Sequence, residues 1–162
     1  MAMPVLCDTV CVWALYFRDS SYRSHVLELR RRLGLIVPDV CLIEAAYPIY
    51  RAKGAVELVR YAEFVERLPL APGVEVLECG YEDLIAALKL ASGHSSVFMD
   101  RRGNLCLFDA IISSIWVRTG LPLATSDEKL ISLTRFIPQL KVIKLEKRPA
   151  GSGVHGARHR EA

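Results

Sequence analysis

Short apolar runs and longer amphipathic stretches alternate along these 162 residues. Pro4 to Cys7 reads as a strand, followed from Thr9 by a helix to about Phe17. After a polar joint, His25 to Arg32 reads as a helix closed by Gly34, and Leu35 to Val37 as a second strand. Pro38-Asp39 opens a helix to about Ala52. Val56 to Leu68 forms another, with Val56, Val59, Phe64 and Leu68 on its inner side. "PLAPG" precedes a third strand, Val74 to Leu77. Tyr81 to Ala91 is helical, with Leu84, Ile85, Leu88 and Ala91 as its apolar stripe. "SGHSS" reads as a loop, and Leu105 to Phe108 as a short buried segment of either type. Ala110 to Thr119 is a helix ended by Gly120-Leu121-Pro122, Leu123 to Thr125 a fourth strand, Glu128 to Thr134 a short helix, and Lys141 to Leu145 a last strand. Strands alternating with helices argue for a parallel sheet covered by helices.

The length fits one domain, over residues 1–146, with residues 147–162 as a basic, mobile tail that has almost nothing to bury. A hydrophobic fraction of 52% excludes a disordered chain. There is no apolar span of about 18 residues to cross a membrane. "MAMPVLCDTV" lacks the basic start of a secretory signal, so a cytoplasmic protein is expected. Net charge is only +3, but the positive residues cluster at Arg30-Arg31-Arg32, at Arg101-Arg102 and from Lys144 onward. Such runs ordinarily make solvated faces and sometimes phosphate contacts. The five cysteines form no C-x-x-C pair and sit mostly in apolar runs, as small hydrophobes rather than zinc ligands. One Asn and one Gln in the whole chain point to a thermophilic source. A disulfide is admissible in that setting, with one cysteine left over.

Ligands of open parallel sheets bind at the carboxyl ends of the strands. Asp8 follows the first strand, Asp127 the fourth, and Asp109 stands at the start of an apolar helix. Glu44 lies about a turn inside the helix after the second strand. Each Asp is also a plausible helix cap, although none has the Glu or Gln of a capping box three residues later. Glu44 has no such explanation. Converging carboxylates repel one another unless cations bind among them, and hard oxygen donors suit Mg²⁺ or Mn²⁺. The chemistry implied is metal-assisted phosphoryl hydrolysis.

Three segments, "VLCDTVCVW", "VPDVCLIEAAYPIYR" and "LFDAIISSIWVRTGLPLATSDEKL", resemble in order and content the PIN-domain family, and within it the VapC-type toxin ribonucleases. The resemblance implies a three-layer α/β/α sandwich with a central, mostly parallel sheet. It implies a Mg²⁺- or Mn²⁺-dependent ribonuclease of a toxin–antitoxin pair, with RNA, a VapB-type antitoxin and a second copy of the chain as partners. Asp8, Glu44, Asp109 and Asp127 match the family's acidic quartet, as catalytic and metal-binding residues. Thr125 matches the hydroxyl of the "T-x-D" element, and Thr9 follows the first acid as in many members. Asp8 and Asp109 are expected to ligate directly, and Glu44 or Asp127 to help deprotonate the attacking water. Two features depart from the pattern. Pro48 removes the hydrogen bond to the Glu44 carbonyl, which predicts a kink that would redirect Glu44. The stretch "SGHSSVFMDRRGN" is longer than in most relatives and reads as an inert loop, a small hairpin turning at "RRGN" or an RNA-contacting flap. The alternatives are an RNA-processing or RNA-decay PIN nuclease and a PIN-like scaffold that binds RNA or protein without cutting. A phospho-acceptor receiver or aspartyl phosphatase is disfavoured, since "CDTVC" lacks their acidic pair and D-x-D. His25, His94, His155 and His159 are scattered, as structural or solvated residues. Asp19, Asp39, Asp83 and Asp100 read as surface or capping acids, and Trp13 and Trp116 as core or dimer-contact residues.

Overall fold

The computed structural model describes residues 2–149. Five parallel strands form one sheet: β1 (Val5–Cys7), β2 (Leu35–Pro38), β3 (Val74–Leu77), β4 (Leu123–Thr125) and β5 (Val142–Lys144), in the spatial order β3-β2-β1-β4-β5. The helices are α1 (Thr9–Tyr16), α2 (Arg23–Arg32), α3 (Asp39–Lys53), α4 (Ala55–Arg67), α5 (Tyr81–Gly93), α6 (Ser95–Phe98), α7 (Leu107–Thr119) and α8 (Glu128–Ser132). The chain lays down β1, β2 and β3 in one direction, then returns across β1 to add β4 and β5. Parallel neighbours are joined by crossover connections, and running these in both directions from β1 puts helices on the two faces, giving the three-layer α/β/α arrangement.

The central strand β1 has no exposed residue, and its neighbours β2 and β4 are nearly as dry. Strands buried on both faces read as continuous apolar runs, which is why "VLC", "LIV" and "LAT" were legible. Trp116 on α7 and Phe98 on α6 are the largest fully buried side chains, and the Trp116 indole donates to the Lys141 carbonyl at 3.0 Å.

Two helix faces differ from their sequence reading. On α4 the inner side is Tyr61, Phe64, Val65 and Leu68, while Val56 and Val59 are largely exposed. The choice is made by α1, whose Tyr16 ring meets Tyr61 and Phe64 edge-on at 5.3 and 5.2 Å. On α5 the small residues Ala87 and Ala91 pack inward beside α7, and Leu84, Ile85 and Leu88 are left exposed. Asp83, read as a surface or capping acid, is a buried cap: it accepts from the Gly80 amide at the start of α5 at 3.1 Å and from the Arg118 guanidinium at 3.0 and 3.3 Å.

"SGHSS" is helical rather than a loop. Beyond it, Met99 and Leu105 bridge as a one-rung antiparallel hairpin around "DRRGN", the small-hairpin alternative. Its turn is held by Asp100, which accepts from the amides of Arg102 and Asn104, each at 2.8 Å. α7 starts at Leu107, so the ambiguous apolar segment is split: Leu105 is an exposed bridge residue, Cys106 the helix cap, and the half-buried Leu107 and Phe108 open the helix, which Gly120 closes at φ +66°. Helix α3 is continuous through Pro48. All five cysteines are free thiols, and Cys7, Cys11 and Cys41 are buried. No helix among the described residues is long and apolar enough to cross a membrane.

Residues 147–149, the start of the expected tail, lie against α2. The Glu146 amide donates to Nδ1 of the buried His25 at 3.0 Å, and the Arg148 amide to the Ser21 carbonyl at 2.8 Å. Arg148 also pairs with Glu28 at 2.6 Å. The rest of the tail, with His155 and His159, lies outside the described residues.

Candidate active site

Strand order reverses at β1, so the carboxyl ends of β1 and β4 flank the crevice where an open α/β sheet binds its ligand. A cleft of about 500 Å³ lies there. Asp8, Glu44, Asp109 and Asp127 all line it, so the four acids singled out in the sequence converge.

Each acid arrives by its own local logic. Asp8 is the N-cap of α1, accepting from the Thr9 amide at 2.7 Å. The Thr125 hydroxyl donates to its other oxygen at 2.6 Å. That hydroxyl accepts in turn from the Asp127 amide at 3.0 Å, joining two positions of the cleft through one oxygen. Asp127 caps α8 by accepting from the Lys129 amide at 2.8 Å. Capping and lining the cleft are thus combined in Asp8 and Asp127. Asp109 differs from expectation: with α7 beginning at Leu107 it is inside the first turn, its cap position is taken by Cys106, and among the described residues its carboxylate accepts no hydrogen bond. Glu44 lines the cleft although Pro48 lies four residues on, so the proline does not turn it away.

The electrostatics are those of crowded, partly dried carboxylates. Burial pushes Asp8 up to about 6 against the opposing pull of its Thr125 and Thr9 hydrogen bonds, and Glu44 and Asp127 add to the rise. Asp109 stands at about 7, raised by burial and then by Asp8, Glu44 and Asp127, with Lys129 offsetting part of this. Glu44 is raised by burial, and the nearby Thr9 hydroxyl favours its charged form. No hydrogen bond closes between them: among the described residues the buried Thr9 hydroxyl has no partner. Beneath, burial raises the Cys7 and Cys41 thiols, which stay neutral as small apolar filling.

The rest of the cleft lining was not legible in the sequence. Ser20, Ser21 and Tyr22 of the joint between α1 and α2 line the cleft, together with Ser126, Trp13 and Lys147. Trp13 is half-buried and its indole donates to the Ala45 carbonyl at 3.4 Å, tying α1 to the helix that carries Glu44. The joint carries no periodicity, and Lys147 lies 139 positions beyond Asp8 in the chain, so only the fold shows them together.

The donor set suits a hard divalent cation. It is all carboxylate and hydroxyl oxygen, and the orphaned Thr9 hydroxyl is available to a bound water. Among the described residues no three His, Cys, Asp or Glu groups already stand as a closed chelate. Mg²⁺ does not require one, since it keeps several waters and takes one or two carboxylates directly.

The family model for the PIN domain matches residues 5–135. The chain belongs to the PIN-domain family. No curated protein matches its sequence. Among solved structures, this PIN fold is similar to the VapBC2 complex of Rickettsia felis, crystallised with a DNA fragment from its promoter. Identity is 17%, over 88% of this chain and 98% of that one, with a TM-score of 0.59. It is likewise similar to VapC20 of Mycobacterium tuberculosis, a toxin that cleaves the sarcin–ricin loop: 15% identity over 80% and 94% of the two chains, TM-score 0.61. FitAcB of Neisseria gonorrhoeae follows at 16% identity over 86% and 96%, TM-score 0.57. The PIN domain match spans β1 to the segment after α8, and so contains all four cleft acids.

Proposed function

We infer that this PIN-domain protein is a metal-dependent endoribonuclease and the toxin of a VapBC-type pair. The observation that carries the reading is the convergence of Asp8, Glu44, Asp109 and Asp127 on one cleft at the β1–β4 switch point. The fold shared with VapC20 and VapBC2 supports it.

Asp8 and Asp109 would hold Mg²⁺ or Mn²⁺, with Glu44 and Asp127 completing the site directly or through water. Such an ion neutralises the carboxylates, polarises a phosphodiester and acidifies water. The chain's own work is positional. Thr125 and the Thr9 amide fix both oxygens of Asp8, so its aim needs no adjustment when substrate arrives. Glu44, with its carboxyl raised by burial, is the base that takes a proton from the attacking water. The Thr9 hydroxyl supplies a donor or acceptor to water in the cleft.

The partners follow from the same reading. A VapB-type antitoxin silences the cleft by inserting a cation among the acids. A second copy covers apolar surface: α3 exposes Ile43, Tyr47 and Tyr50, and α5 exposes Tyr81, Leu84, Ile85 and Leu88. Cytoplasmic location and a thermophilic source complete the proposal.

The deciding experiment is cleavage of a mixed RNA pool by purified protein with Mn²⁺ or Mg²⁺, beside Asp8→Asn and Asp109→Asn. Metal-dependent cutting that both substitutions abolish supports the nuclease. Folded, antitoxin-free protein that binds RNA but never cuts would establish the scaffold instead.

A further inference from the structure

Part of the cleft lining is cationic and belongs to no element of the acid quartet. It consists of Ser21 and Tyr22 from the joint before α2, and Lys147 from the strap that follows β5. The strap is fastened on both sides of Lys147. Before it, the Leu145 amide donates to the Thr125 carbonyl at 2.9 Å and the Glu146 amide to Nδ1 of His25 at 3.0 Å. After it, the Arg148 amide donates to Ser21 at 2.8 Å, and the Arg148 guanidinium pairs with Glu28 at 2.6 Å. Lys147 is thereby fixed at its backbone with its side chain exposed. Its ammonium lies 5.8 Å from the centre of the Tyr22 ring and, among the described residues, enters no ion pair.

We propose that Lys147, with Ser21 lining the same cleft, binds a backbone phosphate of the RNA strand lying in this cleft. The inference rests on the ribonuclease reading and adds to it the residue that holds the substrate. A cleft lined by four carboxylates repels a polyanion, so RNA needs a cation in its lining. Lys147 is the basic residue that lines the cleft, and a lysine ammonium serves phosphate as a compact point charge. Its strap anchors order it before the substrate arrives, which lowers the entropy lost on binding. A volume of about 500 Å³ accommodates a nucleotide between the walls.

The test uses the full chain and a single-stranded RNA oligonucleotide. Affinity is measured across a salt series in an Asp109→Asn background, and KM and kcat with Asp109 intact. Lys147→Ala is expected to weaken binding about tenfold and to reduce the slope of log K against log salt by about 0.7. KM rises, while kcat changes far less. Lys147→Arg, which keeps the charge, restores most of the affinity, and Arg148→Ala, which frees one end of the strap, weakens binding by a smaller factor. An unchanged affinity and slope in Lys147→Ala would overturn the proposal. So would tighter binding or faster cutting, which would make Lys147 a competitor for the acids. If the protein cuts no RNA yet Lys147→Ala shifts binding and slope, the nuclease reading fails and the phosphate contact stands. If it cuts and neither shifts, only the contact fails.

Discussion

Thr125 donates its hydroxyl hydrogen to Asp8 at 2.6 Å while accepting the amide hydrogen of Asp127 at 3.0 Å. One fully buried oxygen therefore sets the spacing between the end of β1 and the start of α8. A hydroxyl can do both at once; a methyl in its place can do neither.

Thr125→Val keeps the shape of the side chain and removes both bonds. Stability should fall by about 1–2 kcal/mol in urea denaturation. RNA cleavage should fall by about 10- to 100-fold, the usual effect of losing a group that orients a metal ligand. Wild-type cleavage rates in this variant would show that Asp8 needs no orienting partner.

The raised carboxyls make a pH prediction with a definite sign. Asp8 at about 6 and Asp109 at about 7 bind protons more tightly in the folded chain than at the ordinary value of 3.8. Between pH 4 and 7 the folded state thus holds more protons than the unfolded one, and these two groups withdraw stability as pH rises. Metal-free protein should have a higher Tm near pH 5 than near pH 8, and Asp8→Asn/Asp109→Asn should flatten that difference. Added Mn²⁺ should raise Tm most at the alkaline end, where no protons need be displaced. A metal-free Tm that climbs from pH 5 to 8 by the same amount in both proteins would contradict this account.

Asp83 lies away from the cleft and gives a stability test alone. It is buried between the Arg118 guanidinium and the Gly80 amide at the start of α5. Asp83→Ala leaves the Gly80 amide without its cap and removes the ion pair of the half-exposed Arg118, and should cost about 1 kcal/mol, read as a lower urea midpoint with unchanged slope. RNA cleavage per folded molecule should be unaffected.

Pro48 offers a gain. In the middle of α3 it forgoes a backbone hydrogen bond, and Glu44 lines the cleft regardless. Pro48→Ala should stabilise by about 1–2 kcal/mol, the helix preference being partly offset by a freer unfolded chain. Cleavage should stay at the wild-type rate. A loss of activity in a more stable protein would mean that the proline does aim Glu44.

The residues legible in the sequence were those whose neighbours carry a period. The strand ends stood out because the three-residue run Val5–Cys7 precedes Asp8 directly and the strand Leu123–Thr125 ends two positions before Asp127. Asp109 was identified as a site residue but placed at the wrong point of its helix, because "LCLF" fits a buried strand as well as a first helical turn. Helices α4 and α5 turned other faces inward than their aliphatic residues suggested. On α4 an aromatic cluster with Tyr16 outweighed two valines, and on α5 two alanines allowed close approach where leucines would not. Lys147 was assigned to a tail with nothing to bury; what holds it is hydrogen bonding to α2, which leaves no trace in hydropathy.

Strand β1 lies at the middle of the sheet, hydrogen-bonded on both sides, and the Asp8 amide itself donates to the Ala124 carbonyl at 3.1 Å. Its amides open to solvent only when the whole sheet does, so hydrogen exchange there reports global unfolding. The joint before α2 and the strap bearing Lys147 are surface segments with a handful of bonds each, and they open at far lower cost. Asp8, at the carboxyl end of β1, is therefore held by the part of the fold that opens last.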